Sequence, residues 1–555
     1  MNPGIISLDE ALTKVGGRHR AQMYAFLACV CAVLHSASFL MSLPLLIFTP
    51  SVLCEDSSDS VQGCSLAQAC ASGHNFVFAA NEERSAVFEW RLVCEQAMYE
   101  DLIALACMIG VVLGCILTGQ LGDSLGRQKS LFWLLLCSCV CQFVLYCSAS
   151  ALFFTVVIFF AGLFLPGPAT LAAILVCELT DKRARGPFLT LLCMSWVLGT
   201  AASYGVSFYF LAWRPFLVLS VSCGLLFFPL YPLLVESPRF LAVNWGWYLK
   251  ARATLQLIAT RNKREMFPEK LQGEHLNEYD ETGVTHLADD KKRHKSEESK
   301  SQPVGEYIGS AQSAEEREKE LMRGQHCSYV DLIRLKVLRN DLGRLAVLAA
   351  VTALDLAEAL NPFEGSVVER YTQWAVGLAV QFAALFLVCA TSNFAGKKLL
   401  LRVAFLTLIG AGLSRFALPE VEEARYAQLG YQAACTVAGC VVLQLSTETP
   451  PTPARALFLC ALLSLAGFVW TASRFVIDFI PSHHSASILT AANMIGVLAT
   501  WRLRDPTKKR LKDFIEELKG VGPAQVVAEQ VSDLKRAVSK EPSFDAFNEE
   551  VRGLE

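Results

Sequence analysis

The sequence predicts an all-α integral membrane protein with twelve transmembrane helices in two groups of six. Of its 555 residues, 53% are hydrophobic and only 18% are charged, and the mean hydropathy is +0.39. A soluble protein of this length would carry more charge on its surface. Twelve apolar runs are each long enough to cross a hydrocarbon core of about 30 Å as a helix, and the polar stretch 242–340 divides them six and six.

Each apolar run is expected to be a helix, because backbone N–H and C=O groups in lipid must be paired internally. The first run follows Lys14, Arg18 and Arg20. It is too long for the apolar region of a cleavable signal peptide and lacks an obvious small-residue cleavage site. The predicted spans are 23–49, 100–121, 130–148, 152–177, 188–210 and 214–235 in the first half, and 342–360, 372–391, 399–417, 427–446, 457–480 and 486–502 in the second.

The positions of Lys and Arg in the short loops predict the orientation, because basic loops are retained in the cytoplasm. One side has most of them, and both termini lie on that side, in agreement with an even number of spans. The opposite side has scattered arginines at 84, 91, 214 and 370. The predicted cytoplasmic residues are Lys14, Arg18, Arg20, Arg127, Lys129, Lys182, Arg183, Arg185, Lys397, Lys398, Arg402, Arg455 and a cluster from Arg502 to Arg510.

These observations predict five regions. They are a cytoplasmic N-terminus (1–22), a first six-helix bundle (23–240) with an outer loop (50–98), a partly disordered cytoplasmic linker (241–341), a second bundle (342–503) and a cytoplasmic tail (504–555). The linker is rich in Lys, Glu, Asp, Ser and Gln, which favours a solvated, flexible segment. The tail has Leu511, Phe514, Ile515 and Leu518 at helical spacing, so it is expected to form a helix that binds either the membrane surface or a partner.

Most of the twenty cysteines lie inside apolar runs, where cysteine acts as a small hydrophobic residue. Four lie in the outer loop: Cys54, Cys64, Cys70 and Cys94. On an oxidising side of the membrane they would form two disulfide bonds, for which three pairings are open.

The loop after the second span reads GQLGDSLGRQK at 119–129, which resembles the signature between helices two and three of the major facilitator superfamily. The resemblance implies the major facilitator fold, in which two bundles rock about a site near the bilayer midplane. Gly119 and Gly126 would allow a tight turn. Asp123 would cap a neighbouring helix, and Arg127 would bridge to a carboxylate and hold one conformation. The second-half copy reads NFAGKK at 393–398; because it lacks the carboxylate, we expect it to hold its side more weakly.

Four further segments resemble the organic cation, anion and carnitine transporters of this superfamily. They are SAVFEWRLVC at 85–94, with Arg91 where those transporters have aspartate, ESPR at 236–239, SYVDLIR at 328–334 and TETPPTPAR at 447–455. A transporter of small organic ions is therefore expected. The ESPR segment also fits sugar porters, so a sugar or metabolite porter is one alternative. The further gating residues that the resemblance implies are Glu178, Arg183, Arg185, Glu236, Arg239, Glu448 and Arg455.

Ionisable residues inside spans are costly and mark functional sites. Asp355 and Glu358 are three apart, on one face of helix seven, and Arg474 and Asp478 are four apart in helix eleven. They either line a cavity that attracts an organic cation or a proton, or lie near helix ends or pair with each other. His35 either titrates near neutral pH or is a packed core histidine. The remaining candidates, for a cation–π wall or for inward polar contacts, are Trp196, Tyr204, Gln381 and Gln444.

The sign of the substrate charge stays open. Family members commonly have an arginine in helix four, where this chain has IFFAG at 158–162, and the helix-eleven position that helps to separate cation from anion transporters falls near Gly467. These departures and the eroded second-half motif support another alternative, a non-transporting relative that acts as a membrane scaffold or complex subunit.

No nucleotide-binding loop and no metal-ligand spacing stand out. We therefore expect no enzymatic activity, cofactor or metal. The expected partners are a small organic ion, the lipid bilayer and either a coupling proton or another ion. No nucleic acid is expected, and no protein partner is indicated. The resemblance favours the plasma membrane, with an organelle membrane as the alternative, because loop 50–98 has no N-glycosylation acceptor to decide between them.

Overall fold

The computed structural model describes residues 5–50, 52–55, 61–64, 66–71, 76–78, 84–244, 247–265, 270–271, 327–359, 367–392, 394–417, 421–477, 482–503, 505–507, 509 and 511–513. The first bundle consists of α1 (Arg20–Leu40), α2 (Met98–Ser124), α3 (Arg127–Tyr146), α4 (Ala151–Leu179), α5 (Arg185–Phe210) and α6 (Arg214–Leu225). The second consists of α7 (Lys336–Ala359), α8 (Val367–Thr391), α9 (Lys397–Ala417), α10 (Val421–Glu448), α11 (Arg455–Ile477) and α12 (Ser482–Trp501).

The twelve helices coincide with the twelve predicted spans, which confirms the predicted fold class. Within the described part of the chain, nine are long and apolar enough to cross a membrane by length and composition, namely α1–α6, α8, α10 and α11. Their outward apolar side chains, such as Phe143 (61% exposed) and Phe386 (65% exposed), form a surface suited to lipid.

Two predicted spans differ in detail from the observed helices. The sixth was predicted to reach residue 235, but α6 ends at Leu225 and continues as a 3₁₀ segment, Phe228–Leu233, that contains Pro232. Proline lacks the N–H that an α-helix needs at this point. The fourth is built from two helical segments, Ala151–Phe164 and Pro166–Leu179, which meet at the proline.

The two bundles pack against each other along two pairs of helices, α2 with α11 and α5 with α8. A small apolar cluster joins α5, α8 and α10 inside this interface and comprises Met194, Val197, Leu385 and Cys440. Nearer the end of the bundles that carries loop 50–98, the ring of Tyr204 in α5 stacks on Trp374 in α8 with a centroid distance of 4.6 Å.

Five short strands lie outside the bundles among the described residues. Strands β2 (Val52–Glu55), β3 (Val61–Cys64) and β4 (Phe76–Phe78) form an antiparallel sheet in the outer loop with the order β3-β2-β4. Strands β1 (Ile5–Ile6) and β5 (Lys270–Leu271) pair in parallel. Cys70 and Cys94 form a disulfide bond, and Cys54 is also disulfide-bonded. The side chain of Cys64 lies outside the described residues.

Seven short α-helices accompany the bundles in the described part of the chain: Leu8–Lys14 before α1, Leu43–Leu46, Leu66–Ala71 and Ala86–Trp90 between α1 and α2, Pro238–Val243 and Tyr248–Arg261 after α6, and Tyr329–Arg334 before α7. The start of the predicted linker is thus helical and packs on the first bundle through Leu255 and Ile258. The predicted tail positions Phe514, Ile515 and Leu518 lie outside the described residues.

Candidate functional site

We call the end of the bundles that carries loops 124–127, 180–185 and 449–455 the basic face, and the opposite end, which carries loop 50–98, the disulfide face. Fully buried charges gather at the basic face. The side chains of Arg127, Glu178, Arg239 and Arg455 are 0% exposed, and Arg185 is 2% exposed. Burying a charge is costly unless it is paired, so the partners of these side chains determine what this face can do.

Glu178, in the last turn of α4, connects the two halves of the protein. Its Oε1 accepts a hydrogen bond of 2.6 Å from the guanidinium of Arg455 in α11. Its Oε2 lies 3.5 Å from Nε of Arg127 in α3. Arg127 also pairs with Asp123 at 2.8 Å and donates to the carbonyl of Thr452 in the other half at 3.1 Å. We call Arg127, Glu178 and Arg455 the Glu178 bridge.

The glycines of the 119–129 motif bring these groups together. A Cβ atom on Gly119 would lie 3.2 Å from the Cα of Leu457 and 3.1 Å from the Cβ of Cys460, so the glycine allows α2 to lie directly against α11. Across this contact, the carboxylate of Asp123 accepts a hydrogen bond of 3.3 Å from the backbone N–H of Leu457, in the first turn of α11. A carboxylate at this position also favours the positive end of the helix dipole.

Gly126 turns the chain into α3 with a φ of +102°, a conformation that favours glycine. The carboxylate of Glu236 fits into this turn and accepts hydrogen bonds from the N–H groups of Arg127 (3.1 Å) and Gln128 (3.2 Å). Burial raises the pKa of Glu236, although these backbone donors and the Arg127 charge oppose the rise. Glu236 therefore ties the ESPR segment to the start of α3.

A second group of buried charges forms around Arg239, and sequence reasoning missed half of it. Arg239 binds Asp513 at 2.7 Å and also binds Asp9, which pairs with Arg185 at 3.2 Å. Burial alone would raise the pKa of Asp9, but the Arg239 and Arg185 charges outweigh it and hold the pKa below its ordinary value. We call Asp9, Arg185, Arg239 and Asp513 the terminal cluster.

Residues before α1 and after α12 are therefore built into the basic face. The backbone N–H of Leu511 donates to Asp9 at 3.0 Å, and the carbonyl of Lys512 accepts from the N–H of Thr452 at 3.1 Å. Leu511 is 2% exposed. Residues 511–513 lie between the halves, whereas the rest of the predicted tail helix lies outside the described residues, so its placement on the membrane or on a partner stays a prediction. The sequence could have indicated this arrangement of residues 511–513, because Arg185 and Arg239 need acidic partners if they are buried.

The second-half copy of the motif also forms a buried ion pair, but within one half. Lys397 binds Glu448, and their side chains are 5% and 4% exposed. Asn393, at the position where the first-half motif has a carboxylate, lies outside the described residues. Arg185 binds Asp9 as described above, and Arg183 is exposed.

Among the described candidates inside the spans, Asp355 and His35 are both fully buried. Asp355 is 0% exposed, and its Oδ1 accepts hydrogen bonds from Tyr431 of α10 (2.5 Å) and Asn493 of α12 (2.9 Å). Its Oδ2 is buried and has no hydrogen-bond partner among the described residues. Glu358 is half-buried one turn further along α7. Asp478 and the side chain of Arg474 lie outside the described residues.

His35 lies inside the first bundle, 0% exposed. Its Nδ1 is 2.9 Å from the carbonyl of Ser220, and its Nε2 is 2.9 Å from Oγ of Ser138 and 3.2 Å from the side-chain amide of Gln142. These contacts occupy both ring nitrogens. The geometry is that of a packed, hydrogen-bonded histidine between α1, α3 and α6.

Two of the other candidates, Tyr204 and Gln444, contact the opposite bundle. Tyr204 is buried, and its hydroxyl donates to the carbonyl of Met41 at 3.2 Å. Gln444 of α10 donates to the hydroxyl of Thr190 in α5 at 2.8 Å, across the two halves. Trp196 and Gln381 are half-buried. Sequence reasoning missed Trp374, because an aromatic residue in a span gives no signal of its cross-bundle stacking.

The chain resembles known transporters over most of its length. Residues 60–295 match the family described as "Sugar (and other) transporter". Solute carrier family 22 member 20 of Mus musculus is 34% identical over 194 residues, which are 35% of this chain and 34% of that protein. The human organic cation/carnitine transporter 2 is 29% identical over 32% of each chain. These matches span about a third of the relatives' length. Solute carrier family 22 member 6-A of Xenopus laevis is 25% identical over 81% of this chain and 74% of its own.

Solved structures with a similar fold come from the same class of membrane protein. The xylose transporter XylE from E. coli, in a partially occluded inward-open conformation, matches with a TM-score of 0.54 and 14% identity, over 90% of this chain and 100% of that chain. The human organic anion transporter MFSD10 matches with a TM-score of 0.53 and 14% identity, over 87% and 99% of the two chains. At this identity the likeness concerns the fold alone.

Proposed function

Because the chain has the major facilitator fold and is related to organic cation, anion and carnitine transporters, we propose that it is a secondary transporter that moves small organic ions by alternating access. The relatives named above are transporters, and we propose no catalytic role. The observation that carries the proposal is the Glu178 bridge, a group of buried ion pairs between the two halves at the basic face. Such a contact stabilises the conformation in which that end is closed and is lost when it opens.

In this proposal the basic face is the cytoplasmic gate. The positive loops support the assignment of this face, and of both termini, to the cytoplasm, and the resemblance favours the plasma membrane. Gly119, Asp123, Gly126 and Glu236 shape the gate, and the Glu178 bridge closes it. The terminal cluster supports the closed state, and the pair Lys397–Glu448 holds the second half of the gate. The domain boundaries at 22, 240, 341 and 503 stay predictions.

Asp355 is the residue that we propose for the coupling ion or for a cationic substrate. Its buried Oδ2 has no described hydrogen-bond partner, so a proton or a cation can bind there without displacing Tyr431 or Asn493 from Oδ1. Replacing Asp355 with Asn keeps the shape and removes the charge. We expect a changed pH dependence of uptake, with Tyr431→Phe as a control that keeps the carboxylate. Unchanged affinity and pH dependence in Asp355→Asn would exclude this role.

The proposed activity is tested by uptake into vesicles that contain the purified protein. The panel comprises an organic cation (tetraethylammonium), an organic anion (benzoate) and a sugar (xylose), each with and without a pH gradient. Saturable uptake of one ion class supports the proposal and gives the sign of the substrate charge. Stimulation of uptake by the pH gradient would indicate proton coupling. If the gradient has no effect, transport is either uniport or coupled to another ion.

A sugar porter is the second candidate, because residues 60–295 match the sugar (and other) transporter family and the fold is that of a xylose transporter. Uptake of xylose without either ion would favour it. A non-transporting scaffold is the third candidate. The apolar cluster Met194, Val197, Leu385 and Cys440 supports it, because this cluster fills the interface between the bundles with side chains that offer an ion no counter-charge. Absence of uptake for every compound would favour the scaffold.

A further inference from the structure

The disulfide face has a cavity that the proposed transport mechanism does not use. It has a volume of about 550 Å³ and lies between strand β4, the helix Ala86–Trp90 and the segment 211–214 that joins α5 to α6. Its apolar wall includes Phe78 and Phe88, whose ring centroids are 5.1 Å apart, and Trp213. A cavity of this size with aromatic walls is suited to a small organic molecule.

The charges of the described residues at the rim of this cavity do not cancel. Glu89 is its only acidic lining residue among the described ones, and both of its carboxylate oxygens are occupied. Arg214 binds them in a bidentate pair at 2.6 and 2.7 Å, and the indole N–H of Trp213 donates to one of them at 2.9 Å. Two further arginines, Arg84 and Arg91, line the cavity, are exposed and form no ion pair with a described side chain.

The main chain at both of these arginines has a defined conformation. The N–H of Arg84 donates to the carbonyl of Leu211 at 2.9 Å, and its carbonyl accepts from the N–H of Trp213 at 3.2 Å. Arg91 ends its short helix in a left-handed conformation with a φ of +51°. This conformation is costly for a residue other than glycine, asparagine or aspartate. The similar segment of organic-ion transporters has aspartate here, so this chain replaces a negative charge at the rim with a positive one.

We propose that this cavity binds a small aromatic carboxylate on the disulfide face, separately from the transport path. The carboxylate lies between Arg84 and Arg91, and the ring lies against Phe78, Phe88 and Trp213. Guanidinium groups pair with carboxylates through two parallel hydrogen bonds. The Glu89–Arg214 pair is left intact, because it holds Trp213 and the helix that carries Arg91.

The proposal is tested by binding, without any need for transport. The probe is 4-fluorobenzoate, observed by ¹⁹F NMR with the purified full-length protein in detergent, and 4-fluorobenzyl alcohol is the neutral comparison. We expect broadening and a saturable shift for the carboxylate and much weaker binding of the alcohol. Replacing Arg91 by the aspartate of the related transporters, Arg91→Asp, should weaken binding roughly tenfold, because it removes one exposed attraction and adds one repulsion.

Two further variants complete the test. Arg84→Gln should weaken binding several-fold, whereas Arg18→Gln, which removes an exposed guanidinium at the basic face, should leave it unchanged. Equal affinities of the wild type, Arg91→Asp and Arg84→Gln would overturn the proposal, because the carboxylate would then bind elsewhere. Equal binding of acid and alcohol, or none of either, would overturn it too. Because no uptake is measured, failure here is distinct from failure of the proposed transport function.

Discussion

Replacing Glu178 with Gln tests whether the Glu178 bridge holds the basic face closed. The side chain is 0% exposed and lies 2.6 Å from Arg455 and 3.5 Å from Arg127, both also 0% exposed. Removing one partner of a buried ion pair costs about 3–5 kcal/mol, and each 1.4 kcal/mol is about tenfold in an equilibrium constant. The full loss would shift the balance between closed and open states by about 100-fold or more. Glutamine still accepts one hydrogen bond, and Arg127 keeps its ion pair with Asp123. We therefore expect the balance to shift toward the open state by at least about tenfold.

The neighbouring Cys177 reports this shift without any engineered label. It is buried in α4, and its sulfur lies 3.8 Å from the carbonyl of Thr447 in the other half. The contact has to break when the basic face opens. The assay is the rate of maleimide modification of Cys177, read by peptide mass spectrometry. We expect Glu178→Gln to raise this rate at least tenfold.

Two controls separate gate opening from unfolding. Cys29, buried in α1 within the first bundle, should stay unmodified in the variant. Glu265→Gln removes an exposed carboxylate on the basic side and should leave the rate at Cys177 unchanged. An unchanged rate at Cys177 in Glu178→Gln would refute the gating role of the bridge. A parallel rise at Cys29 would show that the residue only supports folding.

Three further predictions concern the terminal cluster and the core. Asp513→Ala removes a partner of Arg239, so hydrogen exchange at the backbone N–H groups of Leu511 and Thr452 should accelerate. Equal exchange rates in the variant and the wild type would show that residues 511–513 bind without this charge. The pKa of the Asp9 carboxylate is lowered, so the stability that this carboxylate contributes is complete above the ordinary pKa of 3.8 and is lost only as the pH falls through the lowered pKa. The difference in Tm between the wild type and Asp9→Asn should therefore be constant from about pH 5 to pH 8. A slope in that range would contradict the assignment. His35→Ala removes the hydrogen bonds that Ser138 and Gln142 make to the imidazole. It should lower the free energy of unfolding by about 2–4 kcal/mol, measured as a lower Tm, and leave the substrate affinity in uptake unchanged. A changed affinity would place His35 in the transport path.

Local features of the sequence were enough to predict most of the fold. The spans follow from apolar length. The GQLGDSLGRQK motif predicted a tight turn at its glycines, a helix cap at Asp123 and a carboxylate partner for Arg127, but not which residues these are. Among the site residues, however, the sequence could not distinguish Asp355 from His35, because both are ionisable groups in apolar helices. Only the structure shows that Asp355 has an oxygen without a hydrogen-bond partner among the described residues and that His35 has both nitrogens occupied.

The sequence by itself determined that the chain is a twelve-helix membrane protein with related halves, because lipid imposes a local rule: each span has to be apolar and has to satisfy its own backbone. The tertiary structure alone decided which charges meet. Glu178 binds Arg455 across 277 residues of chain, and Arg239 binds Asp513 across 274. No local pattern encodes such pairs. A buried arginine requires a counter-charge, but only the packing of the bundles and the position of Asp9 and Asp513 at the basic face determine which carboxylate supplies it.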